Sequence, residues 1–576
     1  MIEYLIVILY ISLLAYLNVR GRRQEIDPAD PSAVRPHPLK SALGYGGVFV
    51  STAAIIGFGG AAGVYGLGLL WLVVLNIGVG IFLAFSLFGE RTRRLGHVLD
   101  AHSFPELLGA RYRSGFLQAF CGLLVFCAMP LYAAEVILGA AAYIGVALDI
   151  PRDLALFGFS TLVAAYAIMG GARERRSAAA LQAAFVAVGM LVLLFFTYHK
   201  LGGPLAAHRA LQALRDQVPE ALKKAGHQGW AAFPAFGSAC WWRMISTLIA
   251  AVGVGALAQP QLVTRFFSAR GGGELKRAVA PGAVFILAVA GSAFTVGALS
   301  NVYFARNPDR IEFARVLRKG GGETGETMLK EIAPRSDRER GVAVTTTFSG
   351  ASALEACGGN VEEIVPRFVR RALPRWFTLL FLLALLSAAL STLRAQFLTA
   401  GISFGRDFYE RGLRGGKRSP AAGAVSRMGM VAAILLSVGT AYVLPREFSG
   451  RGLEIVARAT AAFFGFCAAT FLPVFAGGYF YRRSTRAGAI ASVAAGAGVY
   501  LFWLLLCHRP ISGFLPVSSA CFGAPSLVSA LRSGFILWEE VDPILIALPV
   551  SLLVLIAVSA ATRPFPREHL RRCLGR

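Results

Sequence analysis

SAALSTLRAQFLTAGISFGRDFYE, running from Ser387 to Glu410, places small hydroxyl residues inside an otherwise apolar helix. At about 100° per residue, Ala388, Ser391, Thr392 and Ala395 share one narrow face, and Thr399 and Ser403 continue it over the next turns. Two adjacent hydroxyls on a seam of small residues supply oxygen ligands for a hard cation when another element brings backbone carbonyls opposite them. The same composition also serves close packing between membrane helices. The rest of the chain has to decide between an ion site and plain packing.

The 576 residues are 56% hydrophobic and 15% charged, with a mean hydropathy of +0.60. Apolar runs of about 20 residues recur from end to end, each long enough to cross a bilayer as a helix. The net charge of +25 would suggest nucleic acid in a soluble protein. Here most arginines stand in short connections between apolar runs, which is the pattern of topology signals. The eight cysteines show no CxxC spacing, so neither a zinc site nor a redox motif is indicated, although Cys507 and Cys521 could pair across the outer face. HExxH and paired His clusters are missing from the sequence, which argues against an enzyme.

Thirteen spans are expected. The first, Ile2 to Asn18, ends in RGRR (Arg20 to Arg23) without a small-residue cleavage site, and reads as a retained helix that starts outside. The others fall at about 44–65, 67–88, 115–146, 152–172, 176–199, 238–260, 278–304, 376–403, 424–444, 453–476, 487–507 and 543–561. That count puts GERTRR (Gly89 to Arg94), GARERR (Gly171 to Arg176), YRRSTR (Tyr481 to Arg486) and the tail RPFPREHLRR (Arg563 to Arg572) on one, cytoplasmic, side. Two long polar segments, 200–237 and 305–373, then lie outside and are expected to be partly helical. His208 to Gly226 has the apolar spacing of a surface helix, a cap or gate in one reading and a solvated loop in the other. The second span, GYGGVFVSTAAIIGFGGAAGVYGLG (Gly44 to Gly68), is dense enough in glycine to break and expose carbonyls at mid-membrane. A broken helix early in the chain, matched by a hydroxyl-bearing helix seven spans later, suggests two inverted repeats. They divide the chain into an N-terminal extra helix and loop (1–43), a first repeat (44–200), an external loop (201–237), a second repeat (238–476) and two C-terminal helices with a basic tail (477–576).

Five local strings, in order, resemble those of the sodium:solute symporter family. VSTAAIIGFGG (Val50 to Gly60) is similar to the family's first core helix, and SFPELLGARYRS (Ser103 to Ser114) to its "PEFLGKRYGS" loop. YAIMGG with Leu181 and Gln182 resembles "YT-x-LGG…TD-x-x-Q". AQPQLVTRFFSAR (Ala258 to Arg270) resembles "GQPH-x-x-x-RFM", and LSTLRAQFLTAGISFGRDFY (Leu390 to Tyr409) resembles "MSTxxSQLL…SRDIY". The resemblance implies an all-α membrane fold of the leucine-transporter type, about thirteen helices with a 5+5 inverted repeat. It also implies cation-coupled symport of a small organic solute by alternating access in the plasma membrane, with a proton-coupled or uncoupled facilitator, or a transporter-like sensor, as the alternative. By the same resemblance sodium is held by the hydroxyls of Ser391 and Thr392 and by the carbonyls of Ala388, Gly47 and Val50.

Two positions depart from the family pattern. The aspartate of "TD-x-x-Q" is Ala179, and the small polar or acidic residue usual two places after the hydroxyl pair is Arg394. A guanidinium about 60° around the helix from Ser391 would repel a cation unless neutralised. Ionisable residues within apolar spans cost on the order of 3 kcal/mol each and should find partners. Glu135, the only acid among the four in or near the spans, is therefore expected to pair with Arg394 beside the substrate cavity. The pair then serves either as a structural bridge or as a receptor for a carboxylate-bearing solute such as an amino acid or monocarboxylate. Arg243 and Arg458, nearer the outer ends, are expected to snorkel. Trp242 is a candidate gate and Gln259 a candidate polar contact, although interfacial belting and interhelical hydrogen bonding explain them as well.

Overall fold

The structure, a computed structural model, describes residues 38–170, 176–267, 269, 271–307, 310–315, 329–331, 346–349, 352–416, 421–448, 455–512, 516–524, 526–531 and 536–574, with 9, 10 and 12 before them. Among them ten helices are long and apolar enough to cross a membrane. The first of the thirteen expected spans lies outside the described residues except for Leu9, Tyr10 and Ser12. Its Tyr10 hydroxyl meets Ser387 Oγ.

Chain order begins with α1 (Pro38–Phe49) and α2 (Phe58–Tyr65), joined through a π-type turn at Ala53–Gly57. Helical bonding lapses between them at Val50 and Ser51. Next comes α3 (Leu70–Leu75), continued by Asn76–Gly89 and Glu90–Val98. Then follow α4 (Gly115–Leu148), α5 (Arg152–Gly170) and α6 (Arg176–Leu201). The second half starts with α7 (Ala239–Phe267) and continues through α8 (Gly272–Arg306), α9 (Arg375–Ile402), α10 (Ala422–Phe448) and α11 (Ile455–Phe480). The last two spans are α12 (Arg486–Phe502) and α13 (Ile544–Ala561). α7 is interrupted too: a 3-10 turn at Ala256–Ala258 ends in Gln259 with extended backbone (φ −74, ψ 121), and helix resumes at Pro260–Phe267. Proline pushes the residue before it out of the helical region, which fixes the break at Gln259. Breaks in α1–α2 and in α7 thus open the two halves at corresponding places, as inverted repeats require.

Close backbone approach at glycine holds α2 in place. A Cβ on Gly297 of α8 would lie 1.8 Å from the Gly59 carbonyl, and one on Gly60 would lie 2.2 Å from that of Val361. Asn301 Nδ2 donates to the Gly63 carbonyl (2.8 Å), while its Oδ1 accepts from Ala353 N (2.9 Å). The long connection after α8 is thereby wrapped onto the same helix.

Both long connections carry structure. The first contains helices Pro204–Ala213 and Glu220–Lys224, and it caps the turn between α2 and α3. There Leu67 N donates to the buried Trp230's carbonyl (2.8 Å), and Gly66 takes φ +79 with no room for a side chain. The second adds a helix at Ile364–Ala372. It also carries a departure from the helical expectation, a small antiparallel sheet of β1 (Arg310–Arg315), β2 (Leu329–Glu331) and β3 (Thr346–Ser349) in the order β2-β1-β3. Cys507 and Cys521 are free thiols, so the disulfide left open by the sequence does not form.

Overpacking a close helix contact costs about 1–3 kcal/mol. Gly297→Val should therefore lower thermal stability in detergent and the yield of folded protein, whereas Gly78→Ala, with open space at its Cβ, should leave both unchanged. Equal melting temperatures for the two variants would contradict the glycine contact between α2 and α8.

Candidate functional site

The end of α1 and the middle of α9 meet through oxygen atoms. Ser391 Oγ donates to the Gly47 carbonyl (2.9 Å) and to that of Ala388 (3.0 Å). Thr392 Oγ1 lies 3.4 Å from the carbonyl oxygens of both Gly47 and Val48. The helical lapse at Val50–Ser51 explains the crowding, because carbonyls near the end of α1 have no following turn to accept from. Three carbonyls and two hydroxyls therefore converge, all buried and all neutral. Such a set suits a hard monovalent cation: oxygen is the right donor, and the lack of carboxylates keeps binding weak enough to reverse. Among the described residues no group of three or more His, Cys, Asp or Glu side chains could hold a metal.

The hydroxyls reach the carbonyls of Gly47 and Val48. Val50 lies beyond the last turn of α1 and lines a central cavity of about 30 Å³ with Ser51, Asn76, Tyr132, Thr460 and aromatic side chains that include Phe49, Phe58 and Phe464. Asn76 Oδ1 is buried without a hydrogen-bond partner. A buried amide oxygen left unpaired is costly, and it marks a position where a ligand group would be stabilised. Asn76 and Thr460 were not singled out in the sequence. An asparagine at the start of the apolar continuation of α3 (Asn76–Gly89) was the available signal.

Glu135 and Arg394 do not pair. Glu135 is fully buried on α4, where Oε2 accepts from Thr460 Oγ1 of α11 and Oε1 has no partner. Arg394 is 5% exposed and sets its guanidinium 5.7 Å from the ring centroid of Tyr166 on α5. The two side chains point to different neighbours because α4 turns residue 135 toward α11 while α9 turns residue 394 toward α5. A cation over an aromatic face recovers part of the desolvation cost. Neither residue lines the central cavity, although Glu135 touches its wall through Thr460. The side chain of Ala179 lies outside the described residues.

Trp242 and Gln259 are also away from the cavity. Trp242 stands near the start of α7, edge-to-face with Trp241. Gln259 marks the second break, where its Oε1 accepts from Gln261 Nε2 and its own Nε2 has no partner. Arg243 does not merely snorkel: it makes a two-pronged pair with Glu540, from the segment before α13, at 2.5 and 2.6 Å. Burial would raise the Glu540 pKa, yet this fork holds it below the ordinary value. Nearby, burial followed by the charge of Arg458 pushes His508 down to about 3, so it is neutral at physiological pH. At the opposite end of the bundle Asp407 accepts from Ser103 Oγ (2.8 Å) and Gln118 Nε2 (2.9 Å), and Arg406 pairs with Glu106 at 3.0 Å. The SFPELL and GRDFY strings are thus bonded to each other.

A family model described as "Sodium:solute symporter family" matches residues 37–320 and 342–496. A sodium/pantothenate symporter of Haemophilus influenzae is 21% identical over 486 residues, 84% of this chain and 86% of that protein. A sodium/proline symporter of Salmonella typhimurium is 20% identical over 469 residues, 81% of this chain and 80% of that protein. Among solved structures, a sodium-coupled sialic acid symporter in a substrate-bound outward-open state superposes with a TM-score of 0.65, covers 98% of both chains, and is 16% identical. That likeness establishes the fold.

If Glu135 and Arg394 are energetically separate, exchanging their charges recovers nothing. Glu135→Arg with Arg394→Glu should unfold at or below the temperature of the worse single variant. A coupling above about 0.5 kcal/mol in a double-mutant cycle would show that the two groups interact.

Proposed function

We propose that this chain, which belongs to the sodium:solute symporter family, carries a small organic solute across the bilayer together with sodium by alternating access. The observation that supports this most is the convergence of the Gly47, Val48 and Ala388 carbonyls with Ser391 Oγ and Thr392 Oγ1 at the break after α1. A sodium ion held there ties α9 to the broken helix. With α1 fixed, Val50 and Ser51 line the central cavity, so ion binding prepares the solute site. Release of the ion frees the same joint, and rocking of one bundle against the other becomes easier.

The solute is proposed to be a small carboxylate, the chemistry shared by the pantothenate and proline of the relatives' names. Arg394 lies against Tyr166 and is not among the residues that line the cavity. A carboxylate is better served by the N-terminal end of the helix that restarts at Thr52, where N–H groups and the positive end of the helix dipole point into the break. Asn76 and Thr460 then meet the solute's remaining polar groups, and Phe49, Phe58 and Phe464 its apolar body. A second reading, coupling to protons, is supported by Glu135, a buried acid behind Thr460 with one oxygen unbonded.

Uptake into proteoliposomes, with imposed sodium or proton gradients, separates the two. Ser391→Ala and Thr392→Ala should each raise half-saturating sodium about tenfold, equivalent to about 1.4 kcal/mol, at unchanged protein abundance. Unaltered sodium dependence in both variants would remove the assignment of the ion site. Uptake driven by a pH gradient alone and lost in Glu135→Gln would favour proton coupling instead.

A further inference from the structure

On the face that carries the long connections, a second cavity lies between the end of α4, the start of α5 and the helix Ile364–Ala372. It measures about 450 Å³ and shares no lining residue with the central cavity. Its charged lining is Arg152, Arg367, Arg370 and Arg371 against Asp149 and Glu363, four guanidinium groups to two carboxylates. The volume lies in the ordinary range for small-molecule sites.

The arrangement is more specific than a basic surface. Arg370 Nη1 donates to the Val146 carbonyl (2.8 Å) and to Asp149 Oδ1 (3.0 Å), which anchors the helix Ile364–Ala372 over the turn after α4. Hydrogen bonding from Arg370, reinforced by its charge, holds the Asp149 carboxyl below its usual range, so this anchor stays ionised near neutrality. Arg367 Nε is fixed by Glu363 at 2.6 Å. The two acids thus orient two of the arginines. Arg152 Nε, from the first residue of α5, is buried with no hydrogen-bond partner. A buried guanidinium nitrogen that lacks an acceptor, in a cavity with excess positive charge, is stabilised most by a planar or tetrahedral oxyanion, which guanidinium groups grip through paired N–H donors.

We propose that this cavity is a second ligand site, which binds a multiply charged oxyanion of the phosphate class through Arg152 and the arginines of the helix Ile364–Ala372. Two sources offer that chemistry: a dissolved phosphate compound and a phospholipid headgroup. The second is within reach because α5 exposes Leu154 and Phe157 close by, on a surface suited to lipid. In either case the ligand bridges the α4–α5 turn to the long connection that wraps α2, and it would stiffen that connection.

Full-length protein in phosphatidylcholine nanodiscs at low salt, titrated with inorganic pyrophosphate, tests the dissolved source. Saturable binding should weaken about tenfold in Arg152→Gln, the scale of one charge-assisted hydrogen-bond set, and Arg152→Lys should recover only part of it. Nanodiscs containing phosphatidylglycerol, followed by native mass spectrometry, test the lipid source; wild type should retain the anionic lipid and Arg152→Gln should lose it. Binding in the first arm assigns a soluble anion, and retention in the second alone assigns a lipid. If wild type and Arg152→Gln, both monodisperse, behave alike in the two arms, the site does not exist. Because Ser391→Ala leaves this cavity intact, its anion binding should match wild type even if the sodium assignment fails.

Discussion

Inside a bilayer every backbone carbonyl and amide must find a partner within the protein, and the break after α1 is where this chain meets that constraint most sharply. Interrupting a helix at Val50 and Ser51 leaves carbonyls without their own turn. Ser391 and Thr392 supply hydroxyls to those of Gly47 and Val48, so the break is stable only while α9 is held against it. The hydroxyl seam and the broken helix therefore explain each other. Small residues let the helices approach, and the approach brings the oxygens together.

The rest of the fold keeps that joint in register. Gly59, Gly60, Gly63 and Gly297 remove the side chains that would hold α2 away from α8 and from the wrapped connection. Asn301 closes the same contact from both sides, donating to α2 and accepting from the connection. Glu362 Oε1 accepts from Val456 N (3.1 Å), which places a carboxylate at the N-terminal end of α11, where the helix dipole favours negative charge. A single connection thus touches the broken helix, its partner α8 and the helix that carries Thr460.

Buried charges meet different kinds of partner rather than one another through a Glu135–Arg394 bridge. Arg394 uses an aromatic face, Arg243 a carboxylate from the segment before α13, and Arg111 donates through Nε to the Gly478 carbonyl (2.9 Å). Removing one member of such a set is costly because the other stays buried and unpaired. This is the physical reason an inventory of acids and bases fails to predict pairs: hydroxyls, carbonyls and rings also stabilise charge, and they outnumber carboxylates in the spans.

The sequence by itself determined the class of fold, the family resemblance, the broken second span and the facing hydroxyls of Ser391 and Thr392. Those features rest on local rules: length of apolar runs, glycine density, and helical spacing that puts residues 388, 391 and 392 on one face. It also carried the second break at Gln259, through Pro260, without its being read. Only the tertiary structure decided which carbonyls the two hydroxyls meet, those of Gly47 and Val48, since a register shift along a glycine-rich segment changes no local preference. Tertiary packing likewise turned Glu135 to Thr460 and Arg394 to Tyr166, because partners across a bundle depend on helix rotation and crossing, which one-dimensional spacing does not contain.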